Sequence, residues 1–289
     1  MVFLDKGPDL NPIEEAIKTC LRELHHAIES KDIKRLGDLV VPDVFVLGST
    51  ADAVAMDRDS FITDVQVLFE QLKDKKIQLH GSHINVGLCS SGRSAWFLDR
   101  FVVAGARDQD IPIRLTGLLV QDHGWHLSAA SWSIPMRDND YQVELLATGK
   151  IPPGVAMQDR VSLTAQPLAE NITKVMSQPT LMPALYSTRP DAFTIGSTVD
   201  EVFFGADGKN WVNEIVHLSL KFAVRGGFQS AISPDGCTAW LATNIDLSGG
   251  LTVPYRFFYV WLREQDEWNI VLSHDAVCID PFNAGFDYP

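Results

Sequence analysis

The feature that most constrains this chain is an internal repeat. Residues 43–54 read DVFVLGSTADAV and residues 191–202 read DAFTIGSTVDEV, with seven of the twelve positions identical. Further on, Gly92-Arg-Ser-Ala-Trp96 matches Gly236-Cys-Thr-Ala-Trp240. IPIRLTGLLV (111–120) then faces VPYRFFYVWL (253–262), and GWHLSAASWSI (124–134) faces EWNIVLSHDAV (267–277). These matches pair Arg114 with Arg256 and Trp125 with Trp268. They keep their order and their spacing drifts by a few residues, as loop insertions and deletions produce. Two copies at so long a period mean a duplicated domain rather than a solenoid.

A chain of 289 residues suits two domains of ordinary size. The expected division is a first copy over 1–137, a linker over 138–165 rich in Gly and Pro, and a second copy with a short tail over 166–289. In the first copy, Ile13, Ala16, Ile17, Cys20, Leu21, Leu24 and Ile28 recur at helical spacing. A short helix is expected over 32–41, a strand over 43–47 and a helix from about 57 to 72. The period then changes to two, which predicts strands over 76–88, 94–104, 112–121 and 125–134. Helices followed by a run of antiparallel strands make each copy α+β. Several strands are apolar on both faces, so helices are expected over one face and a second sheet over the other. The second copy repeats the pattern, with helices near 167–178 and 208–219.

The net charge of -13 argues against nucleic acid and anionic membrane as partners. The N-terminus has no secretory pattern and no segment has the length of a membrane span, so the cytoplasm is the expected location. The four cysteines, Cys20, Cys89, Cys237 and Cys278, form no CxxC pair and read as reduced thiols.

The order of these motifs resembles the SnoaL-like, ketosteroid-isomerase-like branch of the nuclear-transport-factor-2-like (NTF2-like) superfamily. The segments that carry the likeness are GSTVDEV after a strand, Ala-Trp opening a strand, RLTGLL, and the closing GW…WSIP. The resemblance covers about 12–136 and 167–280. It implies two tandem cone-shaped domains, each a curved, mostly antiparallel sheet wrapped on N-terminal helices around an apolar pocket. It does not imply one reaction, because the fold hosts isomerases, dehydratases, cyclases, hydrolases and non-catalytic proteins.

Pocket chemistry of that kind needs an acid or base of shifted pKa in an apolar cavity. In the second copy, His274, Glu201 and Arg256 form one candidate cluster, with a structural hydrogen-bonded network or a domain-interface ion pair as the alternative. In the first copy, Asp99 alternates with Phe97 and Phe101 and is either catalytic or paired with Arg114. Arg114, Trp132, Trp240, Tyr255 and Asp275 are candidate binding residues. The second copy keeps more of the polar set, so a single working pocket is expected there. His80 and His83 lie on opposite strand faces, and His25 and His26 diverge on a helix, so no metal site is expected. No GxGxxG, Walker loop, GxSxG or HExxH occurs, and no cofactor is expected.

Two functions stay open. One is a pocket protein for a small apolar molecule, with cofactor-independent acid–base catalysis. The other is a non-catalytic ligand-binding or assembly protein whose copies form an intramolecular pseudo-dimer, with a further homodimer also open.

Overall fold

The computed structural model describes residues 12–50, 52–106, 108–136, 157–218, 220–248 and 252–277. The tail from 280 and Cys278 lie outside them, as does the linker over 138–156.

The first domain opens with α1 (Pro12–Glu29), which buries Ile17, Cys20, Leu21, Leu24, His25 and Ala27 along one stripe. Helix α2 (Ile33–Asp38) follows, its first turn capped by the Asp32 side chain on the Arg35 amide. Strand β1 (Val40–Leu47) starts earlier than expected and takes Pro42 into its exposed part. After β2 (Val54–Ala55), Asp57 and Ser60 cap α3 (Arg58–Gln71) reciprocally. The strands β3 (Gln78–Leu88), β4 (Ser94–Ala104), β5 (Ile111–Gln121) and β6 (Trp125–Ser133) complete the domain, close to the expected spans.

In the second domain β7 (Arg160–Val161) precedes α4 (Gln166–Ser177) and a 3-10 segment, Pro179–Leu185. Then come β8 (Phe193–Ile195), β9 (Val202–Phe204) and α5 (Ala206–Ile215). Four long strands follow: β10 (Lys221–Ile232), β11 (Thr238–Ser248), β12 (Thr252–Glu264) and β13 (Glu267–Val277). Residues 160–161, at the end of the expected linker, already pair with β10.

The two sheets have one topology. The first runs β2-β1-β6-β5-β4-β3 and the second runs β7-β10-β11-β12-β13-β8-β9, the same order with β7 added. The pairings β1–β6, β8–β13 and β7–β10 are parallel and the others antiparallel. Even the irregularities recur. Strand β3 bulges between His80 and His83, and β10 bulges between Arg225 and Phe228. Each bulge begins at a glycine of positive φ, Gly81 and Gly226.

The expected cones are not formed. Neither sheet curls or closes, and β2 and β3 remain the edges of the first sheet as β7 and β9 do of the second among the described residues. The reason lies in what covers each face. In the first domain, Phe97, Phe101, Ile113, Leu115 and Leu127 pack on the helices. Residues of the opposite face, Phe45, Leu47, Trp96, Leu98, Leu118 and Ala129, join Phe193, Ile195, Trp240, Phe258, Val260 and Leu272 of the second domain in one shared core. The order is therefore helices, sheet, sheet, helices, as the double-faced apolar strands suggested. An open sheet buried on both faces gains nothing by closing on itself. The molecule is an intramolecular pseudo-dimer.

Trp96 fixes part of this arrangement, since its ring lies over Gly87 and its Nε1–H donates to the Asp191 carbonyl of the other domain at 2.7 Å. A Cβ at Gly87 would stand 2.0 Å from that ring. Gly87→Ala is expected to lower stability by about 1–3 kcal/mol through overpacking. Gly37→Ala, whose Cβ would meet only Ile62 at 3.7 Å, is expected to be neutral or stabilising. Urea midpoints of the two variants check this.

Candidate functional site

The polar residues singled out in the sequence fall into three places. The first is the domain interface, where the two copies exchange arginines. Arg114 on β5 donates to the carbonyls of Gly196 at 2.9 Å and Val199 at 2.7 Å. Its counterpart Arg256 on β12 donates to the carbonyls of Gly48 and, at 3.2 Å, Ala53. Both receivers are the Gly-Ser-Thr turns of the repeat. Glycine is needed there because a Cβ at Gly48 would stand 2.5 Å from the Ala53 Cβ, and one at Gly196 would stand 2.3 Å from Glu201 Oε2. Burial draws the Arg114 pKa down to about 10, and Glu201 opposes the shift, so the guanidinium stays charged at neutral pH.

His274 belongs to the same interface. It is wholly buried, with Nδ1 2.8 Å from Thr116 Oγ1 and Nε2 2.7 Å from Ser133 Oγ, both hydroxyls of the first domain. Burial first, and the Arg114 charge second, push its pKa down to about 3. A neutral imidazole held by two hydroxyls is a bridge between domains. Glu201 does not join it: its Oε2 accepts the Thr198 amide at 2.8 Å and closes its own turn. Of the expected trio, His274 and Arg256 share the interface face of adjacent strands, while Glu201 is engaged in its own turn. Trp240 is in the interface too, stacked on Phe45 with ring centroids 4.6 Å apart.

The inner face of the second domain is the second place. Tyr255, Phe257, Tyr259 and Trp261 form a row of edge-on contacts along β12, beneath α4. The Asp275 carboxyl faces this layer, with Oδ1 shut off from solvent although the residue keeps some exposure at its rim. Burial, and next the Glu201 charge, raise its pKa well above the ordinary carboxylate range. Burial likewise raises the Tyr186 and Tyr259 phenols, which the Asp275 charge would oppose ionising. The layer is filled by its own aromatics.

The third place is the inner face of the first domain. Asp99 on β4 is wholly buried, opposite Ile84 on β3 and Leu115 on β5. Its partner is His25 of α1, not Arg114: Nε2 lies 2.9 Å from Asp99 Oδ2, off the line of a good hydrogen bond. Ser82, an exposed residue within the β3 bulge, donates its hydroxyl to Asp99 Oδ1 at 2.9 Å. The His25 ring packs on Phe101 at 4.6 Å between centroids, and Trp132 packs at the edge of the same core. At the matching point of the second domain, Thr243 Oγ1 donates to the Gly227 carbonyl at 3.0 Å, so the acid–base pair is not duplicated. His25 was legible in one respect: it follows Leu21 by four residues and Ile17 by eight, on the apolar stripe.

An open groove of about 750 Å³ lies elsewhere, at the β7 edge. Asp43 of the first domain, with Asp159, Arg160 and Glu170, lines it. Val161, Ala169, Phe228 and Ala231 line it as well, so the groove mixes charged and apolar surface. His80 and His83 flank the β3 bulge and are both exposed.

Two predictions follow from the interface. Arg256→Ala leaves two turn carbonyls without their donor, and is expected to cost about 2–4 kcal/mol in urea unfolding. The second concerns pH. Because the folded-state pKa of His274 is depressed, its contribution is complete above the unfolded value near 6.5 and is lost as pH falls toward about 3. In that window stability should fall by up to about 1.4 kcal/mol per pH unit from this residue. His274→Gln should lack that component when urea midpoints at pH 7.5 and 5 are compared; an unchanged difference would refute it.

The model of the SnoaL-like domain family matches residues 17–137. No curated protein matches the chain. Among solved structures, an uncharacterized protein with a cystatin-like fold from Caulobacter vibrioides is 17% identical, covering 47% of this chain and 99% of its own, with a TM-score of 0.39. A domain of unknown function with a cystatin-like fold from Nostoc punctiforme is 13% identical, covering 58% and 99%, with a TM-score of 0.42. An NTF2-like protein of unknown function in nutrient uptake from Rhodospirillum rubrum is 18% identical, covering 42% and 98%, with a TM-score of 0.33. The first domain thus matches the SnoaL-like domain family, and the second repeats its strand order, so the chain is a tandem of two domains of one topology.

Proposed function

We propose that this protein binds a small, largely apolar molecule bearing a hydroxyl or carbonyl group on the inner face of its first domain. There it acts by acid–base chemistry without a cofactor. The observation that carries this reading is the buried Asp99 carboxylate set 2.9 Å from the His25 imidazole, among Ile84, Phe101 and Leu115. In this role His25 takes and returns the proton. Asp99 orients the ring and stabilises the imidazolium as it forms, and Ser82 holds the second carboxylate oxygen. Isomerisation, dehydration, cyclisation and hydrolysis, the reactions implied by the resemblance, all need such a transfer. The working site is then in the first copy, not in the second as the retained polar set suggested.

The second domain acts in this reading as the pairing partner. Its aromatic layer favours a non-catalytic role for that half, because Tyr255, Phe257, Tyr259 and Trp261 occupy the space a ligand would need. No described helix is long and apolar enough to cross a membrane.

The test is a thermal-shift screen of small hydroxylated and carbonyl-bearing aromatic compounds against wild type, Asp99→Asn and His25→Gln. A ligand at a hundred times its Kd should stabilise the wild type by about 2.7 kcal/mol. Both variants should lose most of that gain, and any turnover found should fall by about 100-fold or more. An equal shift in wild type and Asp99→Asn would refute the proposed site.

A further inference from the structure

The β3–β4 turn of the first domain meets the β10–β11 turn of the second. The two turns are equivalent. Cys89 N–H donates to the Ser94 carbonyl and Gly92 N–H to the Cys89 carbonyl; Ser233 and Gly236 do the same with Thr238 and Ser233. Their side chains are not equivalent. Cys89 stands where the second copy has Ser233, Asp235 where the first has Ser91, and Cys237 where the first has Arg93. The contact therefore gathers two thiols and a carboxylate at one point. The Cys89 and Cys237 sulfurs and a carboxylate oxygen of Asp235 all lie within 4.8 Å of one another.

We propose that Cys89, Asp235 and Cys237 bind one thiophilic divalent cation, zinc in the first instance, as a clasp between the two domains. Two thiolates and one carboxylate are a ligand set that zinc accepts, with a water in the fourth position. The spacing fits. Cys89 Sγ lies 3.4 Å from Asp235 Oδ2. The sulfur–oxygen edge of a tetrahedral zinc site is about 3.5 Å, given bonds of about 2.3 Å and 2.0 Å. The outer contacts are in place as well. Ser94 Oγ donates to Cys89 Sγ at 3.0 Å and is 3.1 Å from Asp235 Oδ2, while the Cys237 amide donates to Asp235 Oδ1 at 3.2 Å. Such contacts orient metal ligands and tune their basicity. Cys237 and Asp235 are only half-buried, so a cation can enter from solvent. On binding, the two S–H bonds break as two S–Zn bonds form, and two protons leave to solvent. Because the ligands come from both domains, binding adds stability to the pseudo-dimer.

The experiment uses the full chain, reduced and stripped of metal. Zinc is titrated in competition with a chromophoric chelator, and cobalt(II) serves as a spectroscopic probe. One equivalent of zinc is expected, with a rise in Tm. Cobalt should give a thiolate-to-metal charge-transfer band in the near ultraviolet. Cys237→Ser, at a half-exposed turn position that should not disturb folding, should weaken zinc binding by at least about tenfold and reduce the band. The Cys89→Ser/Cys237→Ser variant should abolish the band. No stoichiometric zinc uptake, or a band that persists in the double variant, would overturn the proposal. So would a Cys89–Cys237 disulfide forming in air on a protein that takes up no zinc when reduced.

Discussion

The arginine exchange across the sheet-to-sheet interface is the constraint on which the rest of the structure depends. Arg114 and Arg256 sit in the outer face of their own sheets, each almost wholly buried. A buried guanidinium without acceptors is very costly, so each must reach polar groups. Each finds them in the Gly-Ser-Thr turn of the other domain. The surrounding apolar core, with Trp96, Trp240, Phe45 and Phe258, then excludes water from both. The same face cannot be presented to solvent without exposing that core and leaving the turn carbonyls unsatisfied.

Once the outer faces are committed to each other, chemistry is confined to the inner faces and to the rim of the interface. The duplicated scaffold treats its two inner faces differently. One bulge, after a positive-φ glycine, places Ser82 on Asp99, the partner of His25, in the first domain. In the second it carries Gly227 to Thr243, and the layer beyond is packed with aromatics. At the rim, equivalent turns bear unlike side chains, and their meeting assembles Cys89, Asp235 and Cys237. In each case identical backbone geometry holds a different set of groups.

Much of the fold was legible in the sequence. The repeat revealed the duplication, and the period-two strands with two apolar faces pointed to sheets covered on both sides. What the strands could not reveal was the identity of the cover. Alternation marks Trp96 and Leu98 as inward on one face without saying whether that face closes on itself or meets another sheet, and the cone expected from the resemblance assumed the former. The site residues were harder for a related reason. Arg256 and His274 look like pocket groups because they are polar residues in apolar strands, and an interface produces the same pattern. Asp99 was legible as a buried carboxylate, but its partner lies 74 positions away on a helix (99 − 25) and no spacing links the two. The Cys89, Asp235 and Cys237 cluster spans the two copies, so no local motif announces it.

The most direct measurement is scanning calorimetry of the whole chain at neutral pH. If the two domains share one core locked by exchanged arginines, they should unfold in a single transition, with calorimetric and van't Hoff enthalpies equal. Two separate transitions, each carrying about half the total enthalpy, would contradict it.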